Sequence, residues 1–126
     1  MKLSKIHHVA IITSDYERSK DFYVNKLGFE IIRDNYRPDR DDYKLDLRCG
    51  ECELEIFAMK NHPQRVTNPE AYGLRHLCFY TDDIERDIEE LNAMGIETEP
   101  IRIDTYTNNR AVFFRDPDGL PIELHE

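Results

Sequence analysis

His8-Val-Ala-Ile-Ile-Thr-Ser-Asp-Tyr-Glu-Arg18 returns later in the chain as His76-Leu-Cys-Phe-Tyr-Thr-Asp-Asp-Ile-Glu-Arg86, offset by 68 positions. Five residue types are identical at His8/His76, Thr13/Thr81, Asp15/Asp83, Glu17/Glu85 and Arg18/Arg86, and most other positions pair apolar with apolar. Self-similarity at a fixed period means one supersecondary unit used twice. Each copy opens on an apolar run with strand character. Each then carries a helix-start signal, a capping box at Ser14-x-x-Glu17 and its near equivalent at Asp82-x-x-Glu85.

Working outward, the second helix shows Ile84, Ile88, Leu91 and Met94 at helical spacing. The first is less regular, with Tyr16, Phe22, Tyr23 and Leu27. Gly28 and Gly95 are natural helix stops. Three strand-like segments follow each helix, near 29–36, 43–49 and 52–58 in the first copy and near 96–103, 109–115 and 120–125 in the second. The expected class is α+β: two tandem βαβββ modules, 1–58 and 73–126, whose curved sheets form a cup with the helices outside. The polar stretch 59–72, with Pro63 and Pro69, reads as the linker. At 126 residues the chain suits a single domain, 1–126, with the two modules packed together.

Composition excludes several function classes. The 17 basic residues face 26 acidic ones, a net charge of -9, which repels phosphate backbones and anionic lipids. Neither nucleic acid nor membrane is an expected partner. No apolar run reaches the ~18 residues of a membrane span, and the start of the chain has no secretory signal, so a cytoplasmic protein is expected. Three cysteines argue against a disulfide framework. Cys49 and Cys52 form a C-x-x-C about a tight turn at Gly50, but a structural zinc needs a second pair and only Cys78 remains.

Strand residues alternate faces. His8, Ala10 and Ile12 face away from the helices, as do His76, Cys78 and Tyr80, Glu53, Glu55 and Phe57, and Glu123 and His125 on their own strands. Glu55 and Glu123 obey the same 68-residue offset as the two histidines. A lone strand His or Glu is usually exposed or hydrogen-bonded. Two carboxylates flanked by apolar residues are costly to bury unpaired, however. Two imidazoles and two carboxylates at equivalent positions therefore point to one divalent metal held by His8, Glu55, His76 and Glu123. His7 falls on the opposite face and His62 in the linker, so both read as structural or solvated, whereas His125 shares the face of Glu123. Asp116-Pro117-Asp118-Gly119 reads as a turn with too few oxygens for a calcium loop.

Further motifs carry a family resemblance. Asp15-x-x-x-Ser19-x-x-Phe22-Tyr23-x-x-x-Leu27-Gly28-Phe29, Leu54-Glu55, Leu74-Arg75-His76 and Arg115-Asp116-Pro117-Asp118-Gly119-x-Pro121-Ile122-Glu123-Leu124 cover nearly the whole chain. Together they resemble the glyoxalase I / bleomycin resistance / dioxygenase superfamily, the vicinal oxygen chelate proteins, and most of all its small bacterial glyoxalase I-like members. The resemblance implies a metal in the cup between paired modules, bound by the same four residues. It implies nickel or zinc, with iron, manganese and cobalt as alternatives, and a homodimer. It also implies a lyase or isomerase acting on a small vicinal-oxygen substrate through a metal-stabilised enediolate, with Glu123 as the base and Glu55 as its symmetry mate.

The chain departs from glyoxalase I at two positions that would meet glutathione. Ile12 stands where an Arg is expected, and Met59 where an Asn is expected. Loss of a charge partner argues against a glutathione adduct. Arg37, Lys44, Arg75 and Arg110, with Tyr36 or Tyr106, are the candidate anchors for another anion. Two other readings belong to the same superfamily: a dioxygenase or thiol transferase using three ligands, and a non-catalytic binding or resistance protein. The fourth ligand counts against both.

Overall fold

The computed structural model describes residues 1–126 as two compact units, Met1–Pro63 and Gln64–Glu126. The first unit contains β1 (His8–Thr13), α1 (Tyr16–Lys20), β2 (Glu30–Arg37), β3 (Asp42–Cys49) and β4 (Cys52–Ala58). The second contains β5 (Leu77–Tyr80), α2 (Ile84–Ala93), β6 (Arg102–Ile103), β7 (Arg110–Arg115) and β8 (Pro121–His125). The sheets are ordered β1-β4-β3-β2 and β5-β8-β7-β6. In each, the first strand runs parallel to the last and the other neighbours are antiparallel. The βαβββ pattern expected from the repeat is therefore the observed α+β architecture in both units.

Alternation along the strands makes the two cores. Leu45, Leu47, Leu54 and Ile56 are buried on one face of the first sheet, where α1 packs against β4. Lys44, Asp46, Glu53 and Glu55 occupy the intervening positions. In the second unit, Val112, Phe114 and Ile122 are buried with Ile84 and Leu91 of α2. Burying an aliphatic or aromatic side chain of this size stabilises by roughly 1.5–3 kcal/mol. The offset of the polar face from the core is thus set strongly, because a slip of one residue would exchange the two.

Three boundaries differ from the sequence expectation. The helix caps are Asp15 and Asp83, not Ser14 and Asp82. Asp15 Oδ1 accepts from the Arg18 N–H at 2.9 Å, and Asp83 Oδ1 from the Arg86 N–H at 3.1 Å. Both helices thus begin one residue later, with a carboxylate on orphan amides at the positive end of the helix dipole. After Lys20 the first helix widens into a π-helical stretch, Asp21–Lys26, where Leu27 N–H reaches the Phe22 carbonyl at 2.9 Å. The wider turn lets consecutive Phe22 and Tyr23 both be buried. Gly28 and Gly95 then take φ of 78° and 77°, a region open to glycine, and end the helices.

The third difference is β6. Of the expected 96–103, only Arg102–Ile103 pairs as a strand. Pro100 lacks an N–H and cannot continue a ladder. One isolated bond, from Glu99 N–H to the Phe113 carbonyl at 2.8 Å, holds the segment upstream.

Candidate metal centre

The parallel strand pairs create the same diagonal twice. Ala10 lies opposite Glu55 and Cys78 opposite Glu123. Each histidine sits two residues before the position opposite its glutamate, on the sheet face away from the core. His8 Nε2 is 3.7 Å from Glu55 Oε2, and His76 Nε2 is 2.8 Å from Glu123 Oε2. Each unit thus pairs the imidazole and the carboxylate singled out by the repeat. His76 stands just before β5 and His8 opens β1.

These separations suit two ligands on one cation. Donors bound at about 2.0–2.2 Å lie roughly 3–3.5 Å apart at cis or tetrahedral angles. The observed 2.8 and 3.7 Å bracket that range. An imidazole nitrogen with a carboxylate oxygen is also the donor set that divalent first-row metals accept. His76 carries a further signal: its Nδ1 is buried with no hydrogen-bond partner. A buried ring nitrogen left unpaired is costly, while Nε2 of the same ring faces the Glu123 carboxylate. Phe113 holds it edge-on, with ring centroids 5.1 Å apart and planes at 88°.

The half-sites differ in what surrounds the glutamate. Glu55 Oε1 accepts from Lys44 Nζ at 3.0 Å, and Lys44 also bonds Asp46 at 2.5 Å. Arg33 bridges Asp46 at 2.7 Å and Glu53 at 2.8 Å. Asp46, Glu53 and Glu55 place carboxylate oxygens within 4.8 Å of one another, but Lys44 and Arg33 already counter them. Burial pushes the Asp46 carboxyl up, yet its bonds to Lys44 and Arg33 outweigh this and hold its pKa below the ordinary 3.8. Burial pulls the Lys44 ammonium down, but Asp46 and Glu55 hold it above its ordinary 10.5. No such cation bonds Glu123. Its cross-strand neighbour is Cys78, whose thiol is pushed up to about 11 by partial burial and by the Glu123 carboxylate.

His7 is exposed just before β1, as a structural or surface residue would be, and its Nδ1 meets His8 Nδ1 at 2.9 Å. That contact occupies the far nitrogen of His8 and leaves Nε2 for Glu55, the arrangement by which ligating imidazoles are oriented. His125 bonds the Glu126 carbonyl at 2.8 Å and Asp104 at 3.3 Å, and these contacts raise its pKa. His62 contacts only Met59 Sδ, at 3.2 Å, and is exposed.

Among the candidate anion anchors, Arg37 is held bidentate by Asp42 at 2.6 and 2.7 Å, and Arg110 is clamped by Glu85 and Glu126. Lys44 belongs to the Glu55 network. Tyr36 donates to Asp41 and Tyr106 is fully exposed. Arg75 alone of this group keeps most of its donors, meeting Glu70 only through Nε. Sequence reasoning gave no role to Arg33, Asp46, Phe113 or Cys78 at the site. Their even spacing with the ligands on adjacent strands was visible, but the register that sets them side by side was not.

Comparison with known proteins places this geometry in context. Residues 5–124 match the family described as Glyoxalase/Bleomycin resistance protein/Dioxygenase superfamily. The Bacillus subtilis protein YwkD is 54% identical over 127 residues, covering 100% of this chain and 99% of its own length. The Escherichia coli protein YaeR is 46% identical over 125 residues, covering 98% and 97%. A glyoxalase family protein from Enterococcus faecalis superposes with a TM-score of 0.94 at 56% identity over 100% of both chains. A lactoylglutathione lyase from Agrobacterium tumefaciens superposes with a TM-score of 0.74 at 25% identity, covering 100% of this chain and 96% of that one.

Proposed function

This chain belongs to the glyoxalase/bleomycin resistance protein/dioxygenase superfamily, and from that premise we propose that it is a metal-dependent, glyoxalase I-like lyase or isomerase acting on a small vicinal-oxygen substrate. The ligand set is His8 and Glu55 from the first unit with His76 and Glu123 from the second. The observation that carries this reading is the duplicated diagonal, an imidazole nitrogen 3.7 and 2.8 Å from a carboxylate oxygen at equivalent positions of both units. The likeness to a lactoylglutathione lyase structure supports it.

A bound divalent cation would supply fixed positive charge where an enediolate develops from two adjacent substrate oxygens. The protein's part is then proton movement. Glu123 is the base: its side chain is 14% exposed and bonds His76 rather than a lysine, so its carboxylate can take a proton from carbon and return it to the neighbouring carbon. Glu55 is the less suited of the pair, because its carboxylate is already engaged by Lys44 at 3.0 Å. Ile12, exposed on the same face as His8, offers no charge to a glutathione carboxylate, so another thiol or a free dicarbonyl is the better substrate class. The functional unit is a homodimer, as the resemblance implies.

The test has two stages. Protein purified without chelators is first assayed for nickel, zinc, manganese, iron and cobalt. It is then assayed with methylglyoxal alone, with glutathione and with other low-molecular-weight thiols. Stoichiometric metal and metal-dependent turnover without a glutathione requirement are expected. Absence of metal-dependent turnover in every combination would overturn the proposal.

A further inference from the structure

The second unit contains a cleft of about 160 Å³ that the proposed chemistry does not use. Arg75, Arg102 and Arg115 line it, with Glu70, Glu99 and Phe113. Three guanidinium groups face two carboxylates there, an excess of one positive charge in a chain whose net charge is -9. Such a reversal concentrates anions locally against the overall field.

The arginines are loosely committed. Arg102 and Arg115 share the single carboxylate of Glu99, at 2.6 and 3.4 Å, and the longer contact is close to the limit of a hydrogen bond. Each guanidinium carries five donors, so most of those lining the cleft remain available. Arg102 also stands 5.7 Å from the Phe113 ring centroid, which holds its guanidinium plane beside an apolar wall.

The cleft adjoins the His76–Glu123 half-site. Phe113 lies opposite Glu123 in the β7–β8 register and packs edge-on against the His76 ring. Arg115 lies opposite Pro121 two residues along, and Arg75 precedes His76 in the chain. We propose that this arginine cleft binds a small oxyanion group on the substrate, a phosphoryl or carboxylate group separated by a short spacer from the reacting oxygens. Planar guanidinium forks match oxyanions of this shape bidentately. Glu99 is the internal competitor: it holds Arg102 and Arg115 until the anion displaces it. This inference deepens the proposed function and rests on it for the identity of the anion as substrate, but the binding itself is measurable without a metal.

The full chain, stripped of metal, is titrated with inorganic phosphate and separately with acetate at constant ionic strength. The arginine Nε–Hε signals are followed by NMR. Saturable shifts at Arg75, Arg102 and Arg115 are expected, with Arg48 of β3 unmoved; the tighter of the two anions identifies phosphoryl or carboxylate. Arg115→Ala should weaken binding roughly tenfold, as loss of a charge-assisted bond implies. Glu99→Gln, which keeps the backbone bond to Phe113, should tighten it severalfold. Unsaturable shifts shared by all exposed arginines would overturn the proposal, as would unchanged affinity in both variants. A protein that fails to retain metal yet shows the saturable shifts refutes the enzymatic reading and leaves the anion site standing. One that retains metal and lacks the shifts refutes the anion site alone.

Discussion

Replacing Glu123 with Gln tests the ligand assignment with little disturbance to the fold. Gln has nearly the same shape, and its amide can keep a hydrogen bond to His76 Nε2 where Glu123 now sits at 2.8 Å. The metal-free variant should therefore lie within about 1 kcal/mol of the parent. The response to metal should differ far more. A ligand binding only the folded state stabilises it by about 2.7 kcal/mol at roughly 100 times its Kd. Removing even an outer-shell partner weakens metal sites about 10- to 100-fold, so losing a direct anionic ligand should cost at least ~100-fold. At the same metal concentration the stabilisation then falls to about 0.4 kcal/mol. For a chain of this length, each kcal/mol is worth roughly 3–6 °C of Tm. The parent's metal-induced shift of about 10 °C should shrink to about 2 °C, read by differential scanning calorimetry with nickel or zinc. Glu53→Gln is the control: it removes an acidic group of the first unit that bonds Arg33, not a proposed ligand, and should leave the metal shift intact. An undiminished shift in Glu123→Gln, or an equal loss in both variants, would refute the reasoning.

Three further outcomes are expected. Leu45→Ala empties a fully buried position of β3 and should cost about 2–5 kcal/mol in urea denaturation; a loss under 1 kcal/mol would mean that this core is not packed as described. Asp34 ties β2 to the first helix through Lys20 Nζ at 2.7 Å and Tyr16 OH at 2.6 Å. Burial pushes its carboxyl up, but those two bonds prevail and hold its pKa below the ordinary 3.8. The stability it contributes is present above that ordinary value and is lost as pH falls through the depressed one. Urea midpoints of Asp34→Asn should therefore converge with those of the parent in acid, and a gap that persists or widens there would contradict the sign. The Cys49 thiol is pushed up to about 11 by burial and by Cys52 across the hairpin. About a hundredfold less thiolate than at the ordinary 9.0 should make iodoacetamide labelling of Cys49 correspondingly slow at neutral pH, accelerating with alkali; fast neutral labelling followed by mass spectrometry would count against this environment.

Much of this protein was readable before any coordinates. The 68-residue repeat predicted two βαβββ units, because a duplicated pattern of apolar alternation and helix stops must fold the same way twice. It also singled out His8, Glu55, His76 and Glu123 as equivalent positions of the two copies, because alternation assigns faces and equal offsets assign equivalent strands; which imidazole stands beside which carboxylate came from the strand register. The helix starts were misplaced by one residue, since Ser14, Asp15, Asp82 and Asp83 all carry oxygens able to cap and only the backbone path selects between them. The strand expected over 96–103 begins only at Arg102, past Pro100, whose missing N–H interrupts the ladder upstream.

What tertiary structure alone decided lies across strands rather than along them. Lys44 against Glu55, Arg33 against Asp46 and Phe113 against the His76 ring are neighbours only in the register of separate strands. The arginine cleft likewise gathers residues from 75 to 115. Periodicity along a chain tells which face a side chain occupies. It carries no information about which charge stands beside it, because that depends on strand pairings whose free energy comes from the packed core and not from the local sequence.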